Sequence, residues 1–305
     1  MAAPREAAPD RAPDGPQTVG EALAQARAQL AAAGVADAER EAAWLLAHVL
    51  GCRAGALVAR RSEPLAPEAS DEYAALVARR AAREPLQYIL GTEEFMGLTF
   101  RVTPAVLIPR LDTAALVEQA VARLTGGAAE ARGVLRVADI GTGSGAIAVA
   151  VAHLLPHAQV VAVDLSPEAL AVAAENARLN GVADRVRFRQ GDLLAPLAEE
   201  GGRFAAILSN PPYIREDEIA GLMPEVRDWE PRLALVAGDD GLAFYRRLAR
   251  EAPAFLEPGG FLGVEVGIGQ APAVAALFRE AGLKDVAVCR DTAGVDRAVL
   301  GSVAP

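Results

Sequence analysis

Metal and disulfide chemistry have little to work with in this chain. Its 305 residues include two cysteines, Cys52 and Cys289, and three histidines, His48, His153 and His157, all scattered. No ligand set forms from them, so no metal site is expected, and so few thiols fit a reducing, cytoplasmic compartment. Long apolar runs are missing as well. Charges interrupt every helix-like segment before the ~18 residues a membrane span requires, so no membrane association is expected. Basic charge is in deficit: 30 Lys and Arg stand against 40 Asp and Glu, for a net charge of −10. A protein that grips nucleic acid by its phosphates usually shows a basic face, so direct nucleic-acid contact is not expected either. The N-terminus, Met1 to Gln17, lacks an apolar centre. Its Ala, Pro, Asp and Arg content predicts a disordered tail rather than a signal peptide.

What is present describes an ordinary globular protein, 52% hydrophobic and 23% charged, long enough for one full domain and a smaller one. From Thr18 to Glu84 the apolar period is helical. Thr18 can cap a helix with Glu21 three residues on, and Leu23, Ala26 and Leu30 follow at helical spacing. Further helices are predicted over Asp37–Leu50, around Leu57–Arg61 and over Pro67–Arg83. Such a small bundle suits partner binding or substrate positioning, and equally plain packing.

Pro85 ends the helices. Leu86–Leu90 and Leu98–Val102 read as strands, with Gly91 and Gly97 bounding the turn, so residues 85–111 are expected to form a β-hairpin and a proline-bracketed linker, Thr103–Arg110. From 112 to 305 a helix is followed by strands and helices in alternation, the pattern of a doubly wound, Rossmann-like α/β sheet. Strands are predicted at Leu135–Ile140, Gln159–Val163, Val186–Arg189, Phe204–Leu208 and Phe261–Val266, with a closing hairpin from Val286–Arg290 and Arg297–Leu300. Between them lie helices at Ala146–Leu155, Pro167–Asn180, Leu242–Phe255 and Pro272–Ala281, and a long loop at Ile214–Gly238.

Two stretches promise chemistry. Gly141-Thr142-Gly143-Ser144-Gly145 lets the first strand of the sheet turn sharply into a helix while the backbone comes close to a ligand. Asp164, at the end of the second strand, stands where such folds hold a ribose hydroxyl, so a dinucleotide-binding domain is one reading. Asp139, close to the turn, would repel a pyrophosphate and attract a sulfonium or ammonium, unless it merely caps the following helix. The second stretch, Asn210-Pro211-Pro212-Tyr213, follows a buried strand. Its prolines fix φ and leave carbonyls free to accept. Asn210 adds an amide oxygen, so the loop can offer two acceptors to one planar NH2, with Tyr213 as a flat face beside it.

Together, Asp139 to Gly145, Val163-Asp164 and Asn210 to Tyr213 resemble a seven-strand S-adenosylmethionine-dependent methyltransferase. More narrowly, Pro85 to Gly91, Phe95-x-Gly97-Leu98, Val106 to Arg110, Glu265-Val266-Gly267 and Asp291-x-x-Gly294-x-Asp296-Arg297 resemble the PrmC/HemK family, the release-factor glutamine methyltransferases. That resemblance implies a seven-stranded Rossmann-like domain over 112–305, with the helical region 18–84 as a recognition module for release factors. It also implies that Gly141, Thr142, Gly143, Ser144 and Gly145 lie against the methionine part of S-adenosylmethionine. Asp164 would bind the ribose, Asp192 and Leu193 would border the adenine, and Asn210 would touch both cofactor and substrate. Asn210, Pro211, Pro212 and Tyr213 would hold the substrate glutamine, with Asn210, Pro211 and Tyr213 as the catalytic group. Phe100 and Val106–Arg110 would form a wall. Where the family usually has Pro-Glu-Thr-Glu, this chain reads Leu111-Asp112-Thr113-Ala114, retaining one carboxylate and losing the other. Two rival readings stay open: a nucleic-acid methyltransferase acting on an exocyclic base amine, for which Tyr213 would stack a flipped base, and a non-catalytic binding module.

Overall fold

The computed structural model describes residues 17–125 and 134–305. The expected tail lies outside the described residues except for Gln17. The chain divides into two compact units after Leu90.

In the first unit, α1 (Val19–Ala32) begins with the expected capping box between Thr18 and Glu21, and α2 (Ala38–Val49) and α3 (Pro67–Ala81) follow it. Their apolar faces meet around Leu30, Leu45, Leu46, Tyr73 and Val77. The buried Tyr73 hydroxyl donates to the Ala42 carbonyl at 2.9 Å, which satisfies its one polar atom. The helix predicted around Leu57–Arg61 is instead a 3-10 turn over Ala54–Val58. Leu86–Leu90, predicted as a strand, forms the short helix α4. The Pro85 carbonyl accepts from the N–H groups of Tyr88 and Ile89, and Leu86 and Ile89 turn into the helical core. Proline presets φ for a first helical turn, and a half-buried five-residue run has no period of its own to resist it.

The second unit opens with β1 (Thr92–Phe95) and β2 (Leu98–Arg101), paired antiparallel about Met96 and Gly97, both at positive φ. After α5 (Ala114–Thr125), the strands β3 (Leu135–Ile140), β4 (Ala158–Asp164), β5 (Val186–Gln190), β6 (Phe204–Ser209), β7 (Leu256–Glu265), β8 (Lys284–Arg290) and β9 (Asp296–Ser302) build one sheet in the order β5-β4-β3-β6-β7-β9-β8. Pairings from β5 to β7 are parallel and both pairings of β9 are antiparallel. The sheet is therefore the expected seven-stranded Rossmann-like one, with a reversed strand near its edge.

Side chains alternate across it. Val137 faces a core shared with α5, α6 (Ala146–Leu154) and α7 (Pro167–Leu179). Ala138 faces the opposite core, shared with α9 (Ala243–Glu251) and α10 (Ala271–Glu280). Three differences from expectation have local causes. The segment Ile214–Gly238 contains short helical turns, among them α8 (Pro224–Arg227). The helix expected over Leu242–Phe255 changes to a 3-10 turn at Ala252, where Pro253 has no N–H to give. Strand β7 starts at Leu256, its Pro258 tolerated beside a register shift against β6.

Candidate active site

Position in the sheet decides the site. The chain enters at β3, works outward through β4 to β5, then returns to the other side of β3 as β6. Open α/β sheets bind ligands beyond the carboxyl ends of their strands at such a reversal. Here Ile140 and Ser209 are register partners, so the glycine turn after β3 and the Asn210 loop after β6 leave the sheet side by side. A cavity of about 660 Å³ opens there, within the ordinary range for a small-molecule site.

Glycines 141, 143 and 145 all sit at positive φ. A Cβ at Gly141 or Gly143 would meet open space, whereas one at Gly145 would lie 3.1 Å from Ala173 Cβ. The first two therefore bare the backbone to the cavity, and the third admits α7. Asp164 fixes this turn from the neighbouring strand: its Oδ2 accepts from Gly143 N at 2.8 Å and its Oδ1 from Ser166 N at 2.9 Å. Each oxygen keeps a further lone pair. Asp192 makes a paired contact with Arg247, at 3.0 and 2.8 Å. Leu193 beside it takes φ +48, a left-handed conformation rare for a branched side chain.

Of the residues singled out in the sequence, Gly141, Thr142, Gly143, Ser144, Asp164, Asp192, Leu193, Asn210, Pro211 and Pro212 line the cavity. Gly145 and Tyr213 are not in the lining. Tyr213 packs instead against the core beneath α9 and α10, its ring filling the space at Gly267, where a Cβ would come within 2.9 Å of it. Its carbonyl accepts from Gln270 Nε2 at 3.0 Å, so the expected flat face becomes an anchor for the loop. Phe100 is fully buried and meets Phe95 edge-on, with centroids 6.1 Å apart. The wall comes from Ala105, Val106, Leu107, Pro109 and Arg110.

Asp139 also departs from the charge-based reading. It is 1% exposed, and its Oδ2 accepts from the Thr142 hydroxyl at 2.6 Å and from Ala148 N at 3.1 Å. Its Oδ1 is buried without a partner among the described residues. Burial pushes its pKa up to about 7, against the pull of those two hydrogen bonds. Asp139 thus caps α6 and braces the turn from behind.

Residues 21–91 match the family model described as PrmC N-terminal domain, and 115–223 that described as methyltransferase small domain. A release factor glutamine methyltransferase of Geobacter sulfurreducens is 49% identical over 286 residues, covering 94% of this chain and 97% of that protein. This chain belongs to the release factor glutamine methyltransferase family. A second relative of that name, from Cereibacter sphaeroides, is 48% identical, covering 92% of this chain and 96% of its own. Among solved structures, the hMettl16 catalytic domain in complex with MAT2A 3′UTR hairpin 6 superposes with a TM-score of 0.53 at 17% identity, covering 75% of this chain and 84% of that one. The likeness shows a shared fold. Among the described residues no group of His, Cys, Asp and Glu could hold a metal ion, and no helix is long and apolar enough to cross a membrane.

In this member of the release factor glutamine methyltransferase family the sequence reading missed Asn176 altogether, and named Arg110, Asp112, Asp291 and Arg297 without the partners they take. Asn176, fully buried on α7, donates to the Ser144 carbonyl at 2.8 Å and clasps the Arg101 backbone, joining the hairpin to the glycine turn. Arg110 reaches the buried Glu230 at 2.5 Å. Asp112, the retained carboxylate of the altered run, pairs with Arg297 at 3.0 Å, and Arg297 also holds Asp291. One signal was available in the chain itself: Glu265 interrupts the apolar run Phe261–Val266, and a carboxylate in a central strand needs a partner that the run does not contain.

Proposed function

We propose that this methyltransferase transfers the methyl group of S-adenosylmethionine to the side-chain amide nitrogen of the glutamine in the Gly-Gly-Gln tip of peptide chain release factors. The observation that supports it is the pairing of Ile140 with Ser209, which opens a nucleoside-type glycine turn and an amide-accepting loop onto one cavity. The names of the close relatives agree with that reading.

The residues fit the cofactor. Gly141 and Gly143 present bare backbone to open space, Asp164 retains lone pairs for the ribose hydroxyls, and Asp192 and Leu193, which line the same cavity, are the residues that would border the adenine. When bound, S-adenosylmethionine supplies a methyl group on a positively charged sulfur. The chain's own task is to hold a poor nucleophile, because the lone pair of a carboxamide nitrogen is delocalised into its carbonyl. Asn210 Oδ1 and the Pro211 carbonyl each accept one N–H of the substrate amide and so fix the nitrogen's approach. Positive charge developing on that nitrogen strengthens both hydrogen bonds in the transition state, which is where binding accelerates a reaction. Tyr213, anchored through Gln270, keeps the loop from swinging away. The helical unit serves as the recognition module for the release factor, and this substrate places the reaction in the cytoplasm.

The test is methyl transfer from labelled S-adenosylmethionine to a release factor bearing either Gln or Ala at the tip. Label on the Gln form alone is expected, and Asn210→Ala should cut kcat by ~10²–10³-fold with little change in cofactor affinity. Label on both forms, or on neither, overturns the proposal; so does transfer to nucleic acid in place of the release factor.

A further inference from the structure

Asn210 is useful as an acceptor only if its amide oxygen, not its NH2, faces the substrate. An asparagine side chain has nearly the same shape either way round, so something must break the tie. In this structure Asn210 Nδ2 lies 3.3 Å from Thr113 Oγ1, and Thr113 Oγ1 lies 2.5 Å from Glu265 Oε2. Thr113 is 4% exposed and Glu265 is 2% exposed, so water does not compete for either group. The order of donors follows from valence. Above the pKa of about 7 to which burial pushes Glu265, its ionised carboxylate only accepts, so the single hydroxyl proton of Thr113 is then committed to it. The threonine oxygen is then left as an acceptor, and only the NH2 of Asn210 can meet it.

We infer that Thr113 and Glu265 are positioning residues that lock the Asn210 amide with its oxygen towards the cavity. The inference rests on the proposed glutamine reading, since it concerns which face the substrate amide meets. Three separated pieces of chain build the lock: the turn before α5, the end of β6 and the end of β7. Ser209 and Val264 are register partners, so the residues that follow them, Asn210 and Glu265, leave the sheet as neighbours, and Thr113 closes the gap between them. With the amide reversed, two NH2 groups would oppose each other and the substrate would lose one of its two acceptors. A hydroxyl held to a carboxylate is a stronger acceptor than a free one, because hydrogen bonds in a chain polarise one another.

The experiment compares Thr113→Val, Thr113→Ser and Glu265→Leu with the parent protein at about pH 8.5, where Glu265 is ionised, using the Gly-Gly-Gln release factor as substrate. Thr113→Val keeps the shape and removes the hydroxyl. It should lower kcat by ~10–100-fold while the Kd for S-adenosylmethionine stays within about twofold, and Thr113→Ser should recover kcat to within about threefold of the parent. Glu265→Leu leaves no carboxylate to hold the Thr113 proton, which frees it for the Asn210 oxygen, so kcat should again fall at unchanged Kd. In the parent, the side-chain NH2 protons of Asn210 should show a nuclear Overhauser contact to the Thr113 side chain. Full turnover in Thr113→Val or Glu265→Leu, a Thr113→Ser variant as poor as Thr113→Val, or absence of that contact in the parent would overturn the inference. A parent that methylates no release factor would instead sink the proposed function.

Discussion

Ser209 donates its hydroxyl to the carbonyl of Ile140 at 2.6 Å, across the seam where the chain's path through the sheet reverses. The two residues are ladder partners on β6 and β3, and each is the last residue of its strand before a loop of the site. This bond ties the glycine turn after β3 to the Asn210 loop after β6 at their roots. Both partners are fully buried, so the distance between the two loops is set by core packing and not by either loop.

Asp164 should govern cofactor affinity. Its carboxylate orders the turn through Gly143 and Ser166 and still offers lone pairs to a diol. Asp164→Ala removes both functions and should raise the Kd for S-adenosylmethionine by ~10–100-fold, about 1.4–3 kcal/mol, with kcat at saturation far less affected. Calorimetric titration checks it; an unchanged Kd would mean that the carboxylate does not reach the ligand.

Asp139 should make stability depend on pH. Its folded pKa of about 7 exceeds the ordinary carboxylate value of about 4, so between those limits the native chain holds a proton that the unfolded chain has released. Stability therefore falls as pH rises through that window and levels off above it. Glu265, pushed up to about 7 by burial, adds a slope of the same sign. In Asp139→Asn the amide oxygen can take over both bonds now made by Oδ2, and no charge remains to be buried. Its Tm should exceed that of the parent at pH 8 by roughly 6–10 °C, about 4 kcal/mol, with the gap closing near pH 4. A gap that is constant with pH would show that Asp139 does not titrate in this range.

Gly267 should tolerate no side chain. Its φ lies outside the left-handed region, but a Cβ would stand 2.9 Å from Tyr213 Cδ2 and 2.9 Å from Gln270 Oε1. Gln270 uses that oxygen for Gly267 N and its NH2 for the Tyr213 carbonyl. Gly267→Ala must displace the ring or the clamp, so kcat should drop by about tenfold or more and Tm by a few degrees, overpacking costs being ~1–3 kcal/mol. Parent-like turnover would show that the anchoring of Tyr213 is irrelevant to the loop.

Element types and their punctuation were readable in the chain, since φ/ψ preferences, capping and hydrophobic period act over a few residues. Thr18 with Glu21 and the three glycines after β3 are such local signals. Leu86–Leu90 misled because five residues, all apolar but Gln87, hold too short a period to separate helix from strand, and packing against the helical core decided it. The faces that Tyr213, Phe100 and Asp139 present were beyond local reading for the same reason: each depends on a neighbour far away in sequence. Only the tertiary structure could bring Thr113, Asn210 and Glu265 together, because strand order is fixed by long-range pairing and burial, on which the spacing of residues along the chain is silent.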